Sequence, residues 1–306
     1  MLRYDDLQVF VHTSDSGSLS AAARQLEISP AVASAALKRL ESELEVRLFA
    51  RSTRSLRLTP EGDAFLLHAR ASLRSLEEGR RLLQGGKDQI AGVLQLSAPS
   101  DFGRNLLLPW LDEFQARYPQ LSLRLLLGDR VTDLYRQPVD VAIRYGAPAD
   151  SSLVALPLAP DNRRVLCAAP GHLAERGEPR QPDDLREHNC LLYQLGGRVH
   201  DRWAFQRGRR SLTLTVAGDR VCDDADVVRR WALAGKGLVY KSWLDVAEDV
   251  RAGRLRLLLP EWQGEATPMN LLCTHRAQLT RPVTLLRAFV RERCDALLAE
   301  APWTRN

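Results

Sequence analysis

The sequence predicts a multidomain protein of α plus α/β class: a small helical domain with one β-hairpin, a long linker helix, and a two-lobed α/β domain. Three observations indicate this organisation. Apolar residues recur at helical spacing in three short segments before residue 45, and again from Pro60 to about Gln84. From Val93 onward, β-like apolar runs alternate with helical segments. The length of 306 residues fits two or three domains.

Two helices are predicted before residue 27. Asp5 and Asp6 precede an amphipathic stretch that ends near Gly17, and we expect them to cap the first helix. Ser18 is expected to cap a second helix over residues 19–26, because a serine hydroxyl accepts a hydrogen bond from the unpaired N–H groups of a first turn. The small alanines of this helix allow another helix to pack closely against it.

A third helix is predicted to begin at Ser29 and Pro30 and to run to about Leu44, since serine is a favoured N-cap and proline a favoured first helical residue. Its core-facing residues are predicted to be Val32, Ala33, Ala36, Leu37, Leu40 and Leu44. The opposite face is slender, because its side chains are short until Lys38. Such a face suits the major groove of DNA, and the alternative is a surface helix that happens to be rich in alanine.

A basic β-hairpin is predicted next, with strands over residues 46–51 and 56–59. Four arginines follow one another there without an intervening acid: Arg47, Arg51, Arg54 and Arg57. We expect Arg54, at the tip, to enter a narrow minor groove, and Arg51 and Ser52 to contact phosphates. The residues predicted to contact DNA are Ser18, Ser29, Pro30, Ala31, Ser34, Ala35, Lys38, Arg51, Ser52, Thr53 and Arg54.

A fourth helix is predicted from the Thr59 cap and Pro60 to about Gln84. An apolar seam with heptad-like spacing runs along it, interrupted at Arg80: Leu66, Ala69, Leu73, Leu76 and Leu83. We expect this seam to pair with a second copy of the chain, because two recognition helices one DNA turn apart read an inverted repeat. The alternative is packing on the chain's own C-terminal domain. Gly85 and Gly86 end the helix at a hinge.

Composition adds weaker indications. The net charge of +5 and the pI of about 9.1 hint at a polyanionic partner. No apolar run is long enough to cross a membrane, and the residues after Met1 lack the apolar core of a signal peptide, so we expect a cytoplasmic protein with no membrane partner. The five cysteines are widely spaced and form no C-x-x-C pair, which predicts reduced, buried thiols.

The sequence lacks the motifs that are typical of catalytic and metal-binding sites. Gly235 and Lys236 resemble part of a phosphate loop, but Arg230 stands where that motif needs glycine, and Gly237 where it needs serine or threonine. The six histidines have no partners at metal-ligand spacing, and no G-x-S-x-G motif occurs. Three neighbouring acids are more typical of a helix start than of a catalytic site: Asp223, Asp224 and Asp226. We therefore expect no enzymatic activity, no metal and no cofactor.

The C-terminal two-thirds of the chain predict mainly parallel sheets with helices on both faces. The strands and helices expected in the first set are, in chain order, 93–97, 105–118, 121–127, 131–136 and 139–145. A second set spans residues 163–263, and the chain then returns through a strand at 269–273 and a helix at 282–298. The predicted divisions are a domain at 1–59, a linker at 60–91, and a domain at 92–306 with lobe I at 92–160 and 268–300 and lobe II at 161–267.

Seven short phrases are informative in combination. The first three are Ser-Leu-Ser-Ala-Ala-Ala at 18–23, Arg-Leu-Phe at 47–49 and Leu-Thr-Pro-Glu-Gly at 58–62. The others are Leu-Ser-Ala-Pro at 96–99, Phe-x-x-x-Tyr-Pro at 114–119, Asp-Val-Ala-Ile-Arg at 140–144 and Ala-Gly-Lys-Gly-Leu at 234–238. Through these phrases, nearly the whole chain resembles the LysR-type transcriptional regulators.

The resemblance implies a winged helix-turn-helix that binds inverted-repeat promoter DNA, a homodimer or homotetramer, and RNA polymerase as a further partner. It also implies a periplasmic-binding-protein-like domain of type II that holds a small-molecule co-inducer between its lobes. The cleft residues expected on this basis are Ser100, Asp101, Phe102, Arg130, Val131, Thr132, Arg144, Tyr145, Tyr193, Asp223, Asp224, Tyr240 and Lys241. Because Asp101 and Asp224 belong to this set, an effector with an amine or hydroxyls fits as well as a carboxylate.

A second class of protein remains open at this point. A solute-binding or enzymatic α/β protein could carry the same C-terminal pattern, with N-terminal helices that serve only assembly. The salt dependence of duplex DNA affinity separates the two classes, because neutralised phosphates release counterions and give a steep negative slope. A flat response favours the solute-binding or enzymatic protein.

Overall fold

The structure is a computed structural model that describes residues 1–51, 56–83, 90–129, 139–148 and 152–304. It separates into two compact units. The N-terminal unit comprises the described residues up to Leu83, and the C-terminal unit comprises the described residues from Ile90 onward. Among the described helices, none has the length and apolar character that a membrane crossing needs.

The N-terminal unit is helical apart from one antiparallel hairpin. Its elements are α1 (Tyr4–Ser16), α2 (Leu19–Gln25), α3 (Pro30–Leu44), β1 (Phe49–Arg51), β2 (Leu56–Leu58) and α4 (Pro60–Leu83). This confirms the predicted order of elements. The first strand begins three residues later than expected, because Glu45 is left-handed (φ 56°) and Val46 donates to Glu41 O, so that both residues close α3.

The predicted caps of α2, α3 and α4 are confirmed by the hydrogen bonds that their hydroxyls accept: Ser18 from Ala21 N (3.4 Å), Ser29 from Val32 N (3.2 Å) and Thr59 from Gly62 N (2.9 Å). The prediction for α1 is wrong, because Arg3 holds its N-cap position. Asp6 lies in the first turn, is 3% exposed, and accepts two hydrogen bonds from Arg39 (2.6 and 3.2 Å). This carboxylate therefore joins α1 to α3.

A single apolar cluster connects the hairpin with α1, α3 and the first half of α4: Leu7, Phe10, Val11, Leu37, Leu40, Leu48, Phe49, Leu66 and Ala69. Leu66 is 6% exposed and Ala69 is 1% exposed. Leu73 packs against the same cluster. The prediction that these residues pair with a second copy is wrong for Leu66 and Ala69, because the helix finds a core within its own unit.

The second half of the predicted seam has a different environment. Leu76 is 59% exposed, so it is available to a partner. The side chain of Leu83 lies outside the described residues, although its backbone ends α4. The predicted contact with a second copy is therefore confined to the C-terminal turns of α4.

The C-terminal unit has two α/β lobes. Lobe I begins with β3 (Gly92–Ala98), α5 (Ser100–Phe102), a π-helical turn (Gly103–Leu107), α6 (Leu108–Arg117), β4 (Leu121–Leu127), β5 (Val141–Tyr145) and β6 (Val154–Ala159). Lobe II contains β7 (Arg164–Ala168), α7 (Pro170–Arg176), β8 (Cys190–Leu195), β9 (Arg198–Val199), β10 (Arg202–Arg207), β11 (Arg210–Thr215), β12 (Val221–Cys222), α8 (Ala225–Leu233), β13 (Leu238–Ser242), α9 (Trp243–Arg251), β14 (Arg256–Leu258) and β15 (Gln263–Gly264). The chain returns to lobe I through β16 (Met269–Cys273) and α10 (Arg281–Leu298).

Each lobe is built on a mixed sheet in which one strand opposes the others. The order in lobe I is β4-β3-β5-β16-β6, and β16 is antiparallel to both neighbours. The order in lobe II is β12-β8-β13-β7-β14, and β7 is antiparallel to both neighbours. These opposing strands are the ones that follow the two crossovers between lobes. A third, antiparallel sheet of order β11-β10-β15 was not predicted.

The cysteines have the environment that the sequence indicated. All five are free thiols, and four are buried: Cys167, Cys190, Cys273 and Cys294. Burial raises the pKa of Cys167, Cys190 and Cys294 to about 12. The thiolate is the reactive form of cysteine, so these three side chains act as small apolar residues of the core.

Candidate DNA-binding surface and interlobe cleft

The start of α3 presents a slender exposed face. The exposed residues there are Ser29, Pro30, Ala31, Val32, Ala35 and Lys38, and Ser34 is half-buried. Val32 is 51% exposed, so the prediction that it faces the core is wrong. The buried stripe is defined by Ala33 and Ala36, and Val32 lies about 100° around the helix from Ala33.

Two polar groups next to this face already have partners within the unit. The Ser29 hydroxyl accepts the capping hydrogen bond from Val32 N, and the Arg39 guanidinium is paired with Asp6 at 2.6 Å. Lys38 remains as an exposed cation at the far end of the face. The face therefore offers mainly methyl and methylene groups, followed by one positive charge. Ser18 is half-buried at the start of α2.

The base of the hairpin is fixed to α3 by one buried carboxylate. Glu41, 7% exposed, accepts hydrogen bonds from Leu48 N (2.9 Å) and Phe49 N (3.3 Å) and pairs with Arg47 (2.9 Å). The two backbone hydrogen bonds thus hold the hairpin in place, while Arg47, with a side chain that is 75% exposed, and Arg57 are both open to solvent. The predicted contacts at the tip, Ser52, Thr53 and Arg54, lie outside the described residues, as does the side chain of Arg51.

A buried charge cluster spans the cleft between the lobes. Lys241 on β13 is 1% exposed, and its ammonium pairs with Asp101 of lobe I and with Asp245 of lobe II (3.3 Å). The same ammonium donates to Ala225 O at 3.1 Å. From lobe I, the Tyr145 hydroxyl donates to Asp245 at 2.6 Å. The cluster therefore joins the lobes at two points.

Burial and like charge perturb the ionisation of this cluster. Burial raises the pKa of Asp101 to about 7, and the negative charge of Asp245 adds to the rise, while Lys241 and Arg229 act to lower it. Burial acts to lower the pKa of Lys241, but the charges of Asp101 and Asp245 outweigh it and raise that pKa above its usual value. Two carboxylates from different lobes therefore share one ammonium.

A second set of cross-lobe contacts lies at the start of α8. Arg104 of lobe I pairs with Asp224 at 2.8 Å, and Asn105 donates to Asp226 at 2.8 Å. Asp224 also caps α8, accepting a hydrogen bond from Asp226 N at 3.0 Å. This confirms the interpretation of the acidic run as a helix start, and Asp223 is exposed beside it. In the described parts of the chain, no group of His, Cys, Asp and Glu side chains is arranged to hold a metal ion.

Asp129 is a cleft residue that the sequence interpretation missed. It follows β4, and its carboxylate accepts hydrogen bonds from Ser100 N (2.8 Å) and Ala225 N (2.7 Å). Ser100 was expected to line the cleft, and its N–H is already paired within the chain. The available signal was an acid two residues after a strand of lobe I, at the sheet edge where Ser100 begins a helix.

Three predicted cleft residues belong to the core. Phe102 is fully buried against Trp110, with ring centroids 5.7 Å apart. Tyr240 faces the opposite side of its sheet from Lys241, because successive strand residues alternate, and its hydroxyl donates to Ala204 O at 2.5 Å. Tyr193 is 4% exposed, with its ring centroid 5.3 Å from the Lys241 nitrogen. The prediction that Phe102 and Tyr240 line the cleft is therefore wrong. Tyr193 is also buried, but its ring packs against the Lys241 ammonium.

Arg144 is half-buried at the end of β5 in lobe I and donates to Ser97 Oγ at 2.7 Å. Burial lowers the pKa of its guanidinium, and the negative charge of Asp129 opposes that effect. Of the predicted cleft residues, the structure thus groups Ser100, Asp101, Tyr145, Asp224 and Lys241 around contacts between the lobes. Arg130, Val131 and Thr132 lie outside the described residues.

Comparisons with known protein families agree with this architecture. The profile of the bacterial regulatory helix-turn-helix protein of the lysR family matches residues 4–63. The profile of the LysR substrate binding domain matches residues 87–295. The first matched segment lies within the N-terminal unit, and the second covers most of the C-terminal unit.

Individual relatives match over almost the whole chain. The HTH-type transcriptional regulator DmlR of Escherichia coli is 32% identical over 275 residues, 90% of this chain and 88% of the relative. The HTH-type transcriptional activator TtdR of Escherichia coli is 32% identical over 283 residues, 92% of this chain and 89% of the relative. The structure of CrgA, a LysR-type transcriptional regulator from Neisseria meningitidis, is 30% identical with a TM-score of 0.59, covering 95% of this chain and 98% of CrgA.

Proposed function

Because the chain belongs to the LysR family of transcriptional regulators, we propose that α3 reads the major groove of an inverted-repeat site and that an effector in the interlobe cleft controls the reading. The hairpin β1-β2 contacts the DNA backbone and the adjacent minor groove. Two copies of the chain bind the two halves of the site. The second class considered from the sequence, a solute-binding or enzymatic α/β protein, has no comparable support from the relatives.

One observation carries the proposal for α3: the exposed face at its start consists of short apolar side chains and ends in Lys38. In the major groove, thymine is the base that presents a methyl group, and apolar side chains contact it. Ala31, Val32 and Ala35 are therefore suited to thymine methyls, and Lys38 to a phosphate or a guanine edge. The face before Lys38 has no long side chain that could make two hydrogen bonds to one base. It recognises DNA instead through the shape of the groove and through apolar contacts.

The test begins with the DNA fragments that the full chain selects from its own genome. Each thymine of the selected site is then replaced singly by uracil, which keeps every hydrogen-bonding group and lacks only the methyl. We expect two or more positions per half-site at which the substitution weakens binding about 3- to 10-fold, a loss of about 1 kcal/mol for each methyl contact. Val32→Ala is expected to diminish the thymine preference at one of these positions.

The matched control is Val221→Ala, because Val221 is an exposed valine of the C-terminal unit. It should leave the thymine preference unchanged. If uracil is tolerated at every position of the site while binding stays specific, α3 does not read thymine methyls, and site choice lies in the hairpin.

The cleft is proposed to bind a small molecule through its polar groups, with Ser100, Lys241 and Tyr145 nearest to it. The coupling to DNA follows from the cross-lobe contacts, since a ligand that pairs with one lobe must change how that lobe contacts the other. The chain acts as a homodimer or a pair of homodimers, with RNA polymerase as a further partner. We further propose that the chain carries out no catalysis and that it acts in the cytoplasm, where a bacterium keeps its DNA.

A further inference from the structure

One carboxylate of this chain occupies hydrogen-bond donors from both lobes. Asp129 Oδ1 accepts from Ser100 N at 2.8 Å, and Asp129 Oδ2 accepts from Ala225 N at 2.7 Å. The Ser100 hydroxyl also donates to Asp129 and lies 3.1 Å from Ala225 N. Ser100 begins the helical stretch of lobe I, and Ala225 begins α8 of lobe II. This one side chain therefore accepts hydrogen bonds from both lobes.

The surroundings of this carboxylate are those of an anion site. Ser100 is 1% exposed, so its N–H and hydroxyl need a partner within the protein or a ligand. The start of a helix has unpaired N–H groups and a positive dipole end. Arg104 and Arg144 are close enough for the charge of Asp129 to act on the pKa of both, in the raising direction.

The contact does more than cap α8, because α8 already has a cap. Asp224 accepts hydrogen bonds from Asp226 N at 3.0 Å and Val227 N at 3.4 Å, the second and third N–H groups of that helix. Asp129 takes the first N–H, at Ala225, and reaches it from the other lobe. The first N–H of α8 is therefore paired with lobe I rather than with its own cap residue.

We propose that Asp129 is a built-in ligand of the cleft, which joins the lobes in the effector-free protein and which an incoming carboxylate displaces. The proposal rests on the proposed function in one respect, that an effector occupies the cleft. An attached ligand competes at an effective concentration in the millimolar range or above. A simple free carboxylate therefore competes poorly, and an effector must bring further contacts in order to take these donors.

The test removes the built-in carboxylate and supplies a free one. In Asp129→Ala the methyl group remains and the carboxylate is lost, and formate restores the missing carbon and two oxygens. The full chain is compared in sodium formate and in sodium chloride at equal ionic strength. Hydrogen exchange is followed in peptides that contain the Ser100 and Ala225 amides, and thermal unfolding gives the formate affinity. The matched control is Asp112→Ala, because Asp112 is an exposed acid on α6.

We expect both amides to exchange at least about 10-fold faster in Asp129→Ala than in the unchanged chain, and formate to restore their protection. Formate should bind Asp129→Ala at least about 10-fold more tightly than it binds the unchanged chain or Asp112→Ala. Asp129→Asn, which keeps one acceptor oxygen and the shape, should give an intermediate exchange rate. Should Asp129→Ala prove unstable, the same comparison is made on Asp129→Asn.

The proposal is overturned if both amides stay protected in a folded Asp129 variant, or if formate acts equally on all variants. These outcomes concern the contacts of Asp129 and need no effector. Failure of the proposed function would instead appear as loss of site-specific DNA binding in the unchanged chain. The two failures are therefore distinguishable.

Discussion

At the scale of single residues, Lys241 illustrates what the sequence could and could not predict. Strand β13 was expected to supply both Tyr240 and Lys241 to the cleft, yet neighbouring strand residues face opposite sides of a sheet. Lys241 reaches Asp101 across the cleft, whereas Tyr240 packs near Trp203 with ring centroids 5.2 Å apart. The alternation rule allows only one of the two at the cleft, but both faces of this strand are buried, so the sequence did not reveal which one.

Asp101 is expected to make the stability of the C-terminal unit depend on pH. Burial raises its pKa from 3.8 to about 7, so between these values the folded protein keeps a proton that the unfolded chain has lost. The free energy of unfolding should therefore fall as pH rises through this window, by at most about 1.4 kcal/mol per pH unit. Urea unfolding of the C-terminal unit from pH 5 to pH 8 measures the slope.

The control is Asp101→Asn, which has no proton to lose. His188 contributes a slope of opposite sign, because burial lowers its pKa and the unfolded chain then binds the extra proton. The quantity to compare is consequently the difference between the two proteins at each pH. A difference that stays constant from pH 5 to pH 8 would show that Asp101 is ionised throughout.

At the scale of elements, the starts of α2, α3 and α4 were predicted accurately because their signals are local, whereas the predicted cap of α1 was wrong. Ser18, Ser29 and Thr59 each accept the expected hydrogen bond within three residues along the chain. The path of α4 could not be predicted in the same way, since its apolar seam does not reveal which surface covers it. Leu66 lies in the core of its own unit, and Leu76 does not.

The start of helix α4 also explains why position 62, the last in the phrase Leu-Thr-Pro-Glu-Gly, is a glycine. A Cβ at Gly62 would collide with the carbonyl oxygen of Leu48, where the helix start meets the hairpin. Gly62→Ala should therefore destabilise the N-terminal unit by about 1–3 kcal/mol. In the same helix, a Cβ at Gly79 meets nothing within 4 Å, and Gly79→Ala should stabilise by about 0.5–1 kcal/mol. Chemical unfolding of both variants checks these opposite signs, and equal effects would refute the close contact at Gly62.

The two halves of the seam should respond differently to truncation. Leu66→Ala should lower the free energy of unfolding by about 2–4 kcal/mol, because Leu66 is 6% exposed in the core. Leu76→Ala should change it by less than about 0.5 kcal/mol, because Leu76 is 59% exposed, and should weaken self-association. Sedimentation equilibrium measures the second effect. Unchanged association in Leu76→Ala would place the dimer contact elsewhere in the chain.

At the scale of the whole molecule, the order of domains was predictable and the state of the cleft was not. The alternation of strands and helices indicated two lobes, and the two sheets confirm it. The contacts that join the lobes link residues about 100 positions or more apart, as Tyr145 and Asp245 do, or Arg104 and Asp224. No local pattern carries such pairings, since each acid is equally consistent with a cap, a ligand or a surface charge.

The central claim is that this chain is a sequence-specific regulator that reads duplex DNA through α3 and its hairpin. The most direct measurement is the affinity of the full chain for its selected inverted repeat and for a scrambled duplex, from 50 to 200 mM salt. The claim predicts a preference of at least about 1,000-fold for the selected site and a steep loss of affinity with salt for both duplexes. Equal affinity for the two duplexes, or a flat salt response, would contradict it.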